Sequence, residues 1–402
     1  MQRFQIELNN VGIQAAPASR ESQVYVSRDA HSFSELDAKL RKAAENFEFL
    51  ILGLHTVCAV EAKLKKQSGP REKQFFANLA LKVNLKMGGT NQVVDTANLP
   101  LVKENNTMFV GIDVTHPSPG SRSTAPSVAA MVANIDSSLS QWPADLRVQR
   151  RRQEEVNDLE DMLLSRLDAW TRLGKRQKLP DNILVFRDGV SESQHDMVRG
   201  SELPLLRAAC KRKYPASEQK RGLPRISIVV VGKRRHTRFY PTSPEDSDGR
   251  TGNPKPGTVV DRGVTEARNW DFFLQAHSAL QGTARPAHYY MVYDEIFTGT
   301  GTDKNTGADP ALRGRKLSDE FEALALATSH LLGRATKVIS IAAPARYANM
   351  ICDRSRVYLS HLFDPDSSTE TESTTTVGGG GGGSGMSQIN LHPRIKDTMF
   401  YV

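Results

Sequence analysis

Two short apolar runs in this chain each end on an aspartate, and this repeated pattern constrains the fold more than any other feature. Met108 to Ile112 is followed directly by Asp113, and Ile183 to Phe186 is followed by Arg187, Asp188 and Gly189. A short apolar run bounded by turn-forming residues reads as a buried strand, so each carboxylate should sit where a strand emerges at the edge of a sheet. Asp113 taken alone reads equally well as the start of a turn into His116–Pro117–Ser118–Pro119–Gly120. Asp188 with Gly189 makes a tight turn that exposes the side chain. On neighbouring strands of one sheet, two such carboxylates can hold two divalent metals about 4 Å apart, the arrangement used for in-line attack on a phosphodiester.

At 402 residues the chain should divide into two or three domains. Ser32 and Glu35 make a capping box, and Phe33, Leu36, Leu40 and Ala43 continue a helix to about Glu45. Phe47 to Leu54 follows as a buried strand, completing a helix-then-strand unit of an α/β domain. The next apolar run, His55 to Val60, has almost no connection to it. A parallel pair needs a crossover of about a dozen residues, so either the two runs are antiparallel or residues are missing between Leu54 and His55. Phe75 to Leu85 reads as a helix carrying Lys82 and Lys86 on one face, four residues apart, and Gly88–Gly89 ends it. Lysines so spaced usually form a solvated stripe. Asn91 to Asn106 reads as a linker, which divides the chain into domains over 1–90 and 107–402.

Beyond Asp113, Val128 to Asp136 and Leu146 to Gln149 read as consecutive strands of an antiparallel meander. From Glu154 the pattern turns helical, with Val156, Leu159, Leu163, Leu167 and Trp170 apolar and Gly174 as the stop. Meander, helix and then a strand ending in Asp188 is the order of a ribonuclease-H-like domain. Ile226 to Val231 and Tyr289 to Tyr293 are further strands, and Ser318 to Leu332 and Ala345 to Leu362 further helices. Asp364 to Gly385 is low-complexity and ends in six consecutive glycines; it should be disordered and looks like an engineered loop replacement. The last residues, Asp397–Thr398–Met399–Phe400–Tyr401–Val402, are apolar enough to pack.

A composition of 39% hydrophobic and 24% charged residues is that of a soluble globular protein. No apolar run reaches the roughly 20 residues needed to cross a bilayer, and the first residues lack the apolar core of a signal peptide, so the chain reads as intracellular. Cys58, Cys210 and Cys352 are too few and too scattered for a disulfide framework or a zinc site, and read as reduced. A net charge of +8 favours a polyanionic partner. The basic residues concentrate at Arg147 to Arg152, Lys211 to Lys213 and Lys233 to Arg238, although each cluster alone is most simply a solvated face.

These stretches resemble the MID–PIWI lobe of eukaryotic Argonautes over most of residues 40–402. The matching motifs are GIDVTHPSPG (111–120), RVQRRRQEE (147–155), VFRDGVSES (185–193), VVVGKRRHTRFYP (229–241), GTVVD (257–261), ALQGTARPAHYY (279–290) and DTMFYV (397–402). The early region and the low-complexity segment look like a fungal Argonaute of the quelling type. The resemblance implies an α/β fold, with a Rossmann-like MID domain followed by a ribonuclease-H-like PIWI domain. It implies a cytoplasmic silencing protein that holds a small guide RNA and cleaves complementary RNA with Mg²⁺ or Mn²⁺. The partners it implies are the guide RNA, the target RNA and silencing-complex proteins, with the chain itself a monomer and no membrane involved. The family's PAZ and amino-terminal domains have no counterpart here, so a fragment is expected.

Carried over by position, the resemblance makes Asp113 and Asp188 the metal-binding pair and Glu154 the glutamate that completes the site. At the fourth catalytic position the family has His or Asp where this chain has Asn349, and Asp353 lies one helical turn later; which of the two serves is left open. Lys82, Lys86, Arg354 and the Val402 carboxylate match the pocket for the guide's 5′-phosphate. His236, Arg238, Gln281, Thr283 and Arg285 match positions that track the guide backbone. The family's Tyr and Lys that hold the first nucleotide would fall between Leu54 and His55, where no such residues occur. A guide-binding module without cleavage is the chief alternative, because Asn349 adds no charge. An unrelated integrase-type nuclease would leave the phosphate lysines unexplained.

Overall fold

The computed structural model describes residue 57 and residues 70–402, apart from 220–221, 234, 299–308, 364–390 and 392–394. The helix, the strand and the missing link expected before residue 57, and the glycine-rich segment, lie outside the described residues. So does most of the expected MID domain, of which residue 57 and residues 70–90 are described.

The sheet is built on β1 (Thr107–Thr115), whose first eight residues are all buried. Alternation along a strand sends neighbouring side chains to opposite faces. Met108, Val110, Ile112 and Val114 therefore join one apolar core, and Phe109 joins the other. β2 (Ser127–Ala133) and β3 (Ala144–Gln149) complete the expected antiparallel meander, and β4 (Asn182–Asp188) and β5 (Arg225–Gly232) add parallel to β1 on its other side. Beyond β5 stand β8 (Ala287–Tyr293), β7 (Asp271–Gln275) and β6 (Thr258–Val260), giving the order β3-β2-β1-β4-β5-β8-β7-β6. The first five strands have the 3-2-1-4-5 arrangement of a ribonuclease-H-like sheet.

Helices cover both faces, as a sheet buried on both sides requires. On one face lie α2 (Leu159–Arg172) and α3 (Leu203–Lys213), through Met162, Leu163, Leu167, Trp170, Leu206 and Cys210. On the other lie α4 (Leu317–Ser329) and α5 (Ala343–Tyr358), together with Leu85 near the end of α1 (Pro70–Lys86). The segment read as a linker contains a helical turn, Pro100–Lys103, with Leu101 and Val102 buried. The carboxyl-terminal residues pack as expected, with Met399, Phe400, Tyr401 and Val402 all buried.

Helix α2 begins at Leu159, five residues later than the apolar periodicity suggests. Backbone groups just before it are engaged elsewhere: the Glu154 carbonyl accepts from Arg187 (2.8 Å), the Glu155 carbonyl from Gln153 (3.0 Å), and Val156 N–H donates to Glu202 (3.3 Å). Glu154 therefore stands in a loop, not in a first helical turn. Likewise α5 stops at Tyr358, and a separate turn, Ser360–Phe363, follows.

Helix α5 crosses β1 closely because Gly111 has no side chain. A Cβ there would lie 2.0 Å from the Pro344 carbonyl oxygen and 2.4 Å from its carbon. Gly111→Ala should therefore displace the start of α5 and cost about 1–3 kcal/mol or more of stability, as overpacking does. Chemical denaturation checks this, and an unchanged midpoint would contradict the close approach.

Candidate active site

Alternation in β1 and β4 decides where the two aspartates point. Ile112 pairs with Arg187, so Asp113 and Asp188 come next in register at the same end of adjacent parallel strands. Phe109 and Phe186 belong to the core on the α5 side, so Asp113 and Asp188 also face α5, and Arg187 faces away. Both carboxylates are nearly buried, at 5% and 3% exposure.

Burial, and then the neighbouring Asp188 charge, raise the Asp113 carboxyl to about 6. Asp113 Oδ2 accepts from Asn349 Nδ2 at 3.1 Å, and Oδ1 accepts from the Val114 N–H at 2.9 Å. Asp188 Oδ2 is held by the Lys233 ammonium at 2.9 Å. That lysine leaves the end of β5, directly beside Asp188, which pairs with Val231.

Glu154 approaches from the loop before α2 and is fixed from two sides. Its Oε2 lies 2.8 Å from His116 Nε2, whose Nδ1 is 2.8 Å from Ser127 Oγ, and its Oε1 lies 3.0 Å from Arg187 Nη2. Oε1 is buried but makes no hydrogen bond. Arg187 is wholly buried; burial opposes its charge, but the Glu202 and Glu154 carboxylates more than compensate and raise its pKa. Its fork grips Glu202 at 3.1–3.3 Å, while Nη1 donates to the Asp188 carbonyl at 2.7 Å. Gly189, at φ +89°, keeps the mouth open: a Cβ there would meet Asp113 Oδ1 at 3.2 Å and Glu154 Oε1 at 3.6 Å.

Among the described residues no three His, Cys, Asp or Glu side chains are gathered tightly enough to hold a metal alone. The arrangement is a carboxylate pair with a glutamate set slightly back. Its donors are all oxygen, which suits a hard cation. Of the two candidates on α5, Asn349 touches Asp113, whereas Asp353 is exposed. Four residues further along a helix carry a side chain about 6 Å up the axis.

The residues matched to the guide's 5′-phosphate gather at the carboxyl terminus. Lys86 is buried and donates from Nζ to the Phe400 carbonyl at 2.8 Å, and Lys82 lies one turn earlier, half-buried. Arg354 Nε donates to Tyr358 Oη at 3.1 Å, the Tyr358 ring lies 6.0 Å from that of Phe400, and Val402 is buried nearby in the sequence. The backbone-tracking set flanks one end of the sheet. His236 and Arg238 follow β5, Gln281, Thr283 and Arg285 precede β8, and Gly232 pairs with His288. Four of the five are exposed, while Arg238 is half-buried and donates to the Arg235 and Thr237 carbonyls at 2.7 Å. This is the end of the sheet that carries Asp188.

Sequence reasoning passed over Arg187, His116, Lys233, Glu202 and Arg346. A signal existed for Arg187, since an arginine inside an otherwise apolar strand is almost never buried without a partner.

A ribonuclease-H-like sheet presenting two aspartates on adjacent strand ends defines the class of this lobe. A family model, the Piwi domain, matches residues 42–303. Protein argonaute 3 of rice (Oryza sativa subsp. japonica) is 36% identical over 310 residues, which are 76% of this chain and 25% of that protein. The Kluyveromyces polysporus Argonaute solved with a guide RNA has 25% identity and a TM-score of 0.75, covering 100% of this chain and 48% of that one. The MID–PIWI domains of N. crassa QDE-2 have 27% identity and a TM-score of 0.60, covering 100% and 91%. The chain belongs to the eukaryotic Argonautes, as their carboxyl-terminal lobe. It spans about a quarter of the length of the curated relatives it matches.

The raised Asp113 carboxyl has a measurable consequence. Because its folded value, about 6, exceeds the usual 3.8, the metal-free protein is favoured below the lower value and loses that advantage as pH rises through the upper one. Asp113→Asn removes the penalty, so in chelator its effect on stability should be more favourable near pH 8 than near pH 4 by about 2–3 kcal/mol. Denaturant titrations at the two pH values check this; an equal change at both would contradict it.

Proposed function

We propose that this lobe holds a small guide RNA by its 5′-phosphate, beside Lys82, Lys86, Arg354 and the Val402 carboxylate, and cleaves paired RNA at Asp113 and Asp188. The observation that carries the reading is the buried carboxylate pair on one face of adjacent strand ends, with a lysine ammonium already drawn to it. The all-oxygen donors and the buried Glu154 Oε1 without a hydrogen bond fit Mg²⁺ or Mn²⁺. When bound, such a cation supplies charge neutralisation on the scissile phosphate and lowers the pKa of the attacking water.

The chain's own residues do the positioning. Rigid strands fix the two aspartates, and His116 and Arg187 orient Glu154 toward them. Lysines 82 and 86 act as point charges on the terminal phosphate, and Arg354 adds a fork. His236, Arg238, Gln281, Thr283 and Arg285 follow the guide backbone at the sheet end that carries the aspartates, while base pairing reads the sequence and the protein grips A-form shape. The relative solved with a guide RNA favours the same ligand class. Target RNA and silencing-complex proteins are the remaining partners, acting on a monomeric cytoplasmic protein. No helix among the described residues is long and apolar enough to cross a membrane. A guide-binding module without cleavage is the second reading, favoured by the uncharged Asn349 against Asp113.

Loaded with a 5′-phosphorylated guide, Asp113→Asn should lose target cleavage in Mg²⁺ and keep guide affinity within about twofold. Continued cutting would remove Asp113 from the chemistry, and a parent protein that binds guide without cutting would favour the second reading. Charge-assisted hydrogen bonds to phosphate contribute about 1.5–3 kcal/mol each, so Lys82→Ala with Lys86→Ala should weaken a 5′-phosphorylated RNA strongly and a 5′-hydroxyl RNA far less. Equal weakening would make the lysines a general backbone stripe.

A further inference from the structure

We infer that Arg346 locks the Asn349 amide with its nitrogen toward Asp113, so that this position gives the carboxylate pair a hydrogen-bond donor and gives a cation no oxygen. The inference rests on the metal-site reading above. Arg346 Nη1 donates to Asn349 Oδ1 at 2.5 Å, and Asn349 Nδ2 donates to Asp113 Oδ2 at 3.1 Å. The two residues are three apart on α5, so they share a helix face.

An amide's oxygen and nitrogen are assigned from their partners, and here the partners leave one choice. A guanidinium can only donate, and a carboxylate can only accept. Turning the amide over would set its NH₂ against the guanidinium and its oxygen against the carboxylate, replacing two hydrogen bonds with two repulsions. The Arg346 contact holds the same orientation even when Asp113 carries a proton. An amide nitrogen has no free lone pair for a metal, so the group nearest Asp113 on α5 cannot ligate while Arg346 holds it. Arg346 is thus a positioning residue, acting through Asn349, and the sequence position that could have supplied a fourth oxygen is turned away.

The test is Mn²⁺ binding to the full guide-free chain by isothermal titration, in a cycle of parent, Arg346→Met, Asn349→Ala and the double variant. Removing the arginine's charge should tighten cation binding equally in both backgrounds. Freeing the amide to turn adds a further gain only where Asn349 is present, of about threefold or more. Arg346→Lys keeps a donor and should behave as the parent, and Asn349→Asp, which adds a carboxylate, should bind about tenfold more tightly. An equal effect of Arg346→Met in the two backgrounds, or none in either, overturns the lock. Absence of Asp113-dependent Mn²⁺ uptake in every variant, Asn349→Asp included, instead overturns the metal-site reading, and the lock with it.

Discussion

Two buried carboxylates of like charge at adjacent strand ends are costly, and the local structure is arranged around that cost. Neither aspartate can move away, because Asp188 ends β4 and Asp113 lies two residues before the end of β1, in strands paired on both sides. Compensation comes from donors supplied by other elements: Lys233 from the end of β5, Asn349 from α5, and the backbone of Asp113's own strand. Burial of charge is tolerated where partners and hydrogen bonds are supplied, and here the supply is incomplete, which keeps the Asp113 carboxyl at about 6. The cation proposed for this site would offset what remains of that cost. Filling it with apolar side chains would relieve the strain and remove the reason for the arrangement.

A second charged network lies on the opposite face and determines what the glutamate can do. Arg187 cannot be neutralised and cannot reach water, so it binds Glu202 and Glu154 together and also donates to the Asp188 carbonyl. One guanidinium thereby ties the loop of Glu154, the segment before α3 and the end of β4. The loop is held by its backbone as well as its side chain, since Arg187 also donates to the Glu154 carbonyl. The same diversion of backbone groups prevents residues 154–158 from joining α2. Glu154 gains its position at the expense of helical hydrogen bonds.

The sheet strands that bury apolar runs were legible in the sequence, as were both aspartates, because an apolar run of strand length that stops at a charged residue fits the end of a buried strand and little else. The less regular parts were not. β6 has three half-buried residues, too few for a pattern, and β7 begins on Asp271, a charge that His288, two residues along β8 from its cross-strand partner Tyr290, meets at 2.7 Å. Helix α3 is obscured by Pro204 in its first turn and by the π-helical stretch Val198–Glu202 before it, which shifts the apolar spacing. Partnerships such as Arg346 with Asn349 were visible only as a spacing of three. Nothing in the spacing indicates which atom of the amide faces which neighbour; that follows from the chemistry of the two groups that flank it.

Helix α5 carries residues of both candidate sites and is held in place by its packing. Asn349 meets Asp113 on one side, and Arg354, five residues on and so about 7–8 Å along the axis, meets Tyr358 beside Phe400, whose carbonyl holds Lys86. The helix cannot slide toward β1, because the Pro344 carbonyl already rests where a side chain on Gly111 would be. Nor is its middle free to lift, since Cys352 donates to the Asp113 carbonyl at 3.4 Å and Tyr347 donates to the Leu331 carbonyl at 3.1 Å.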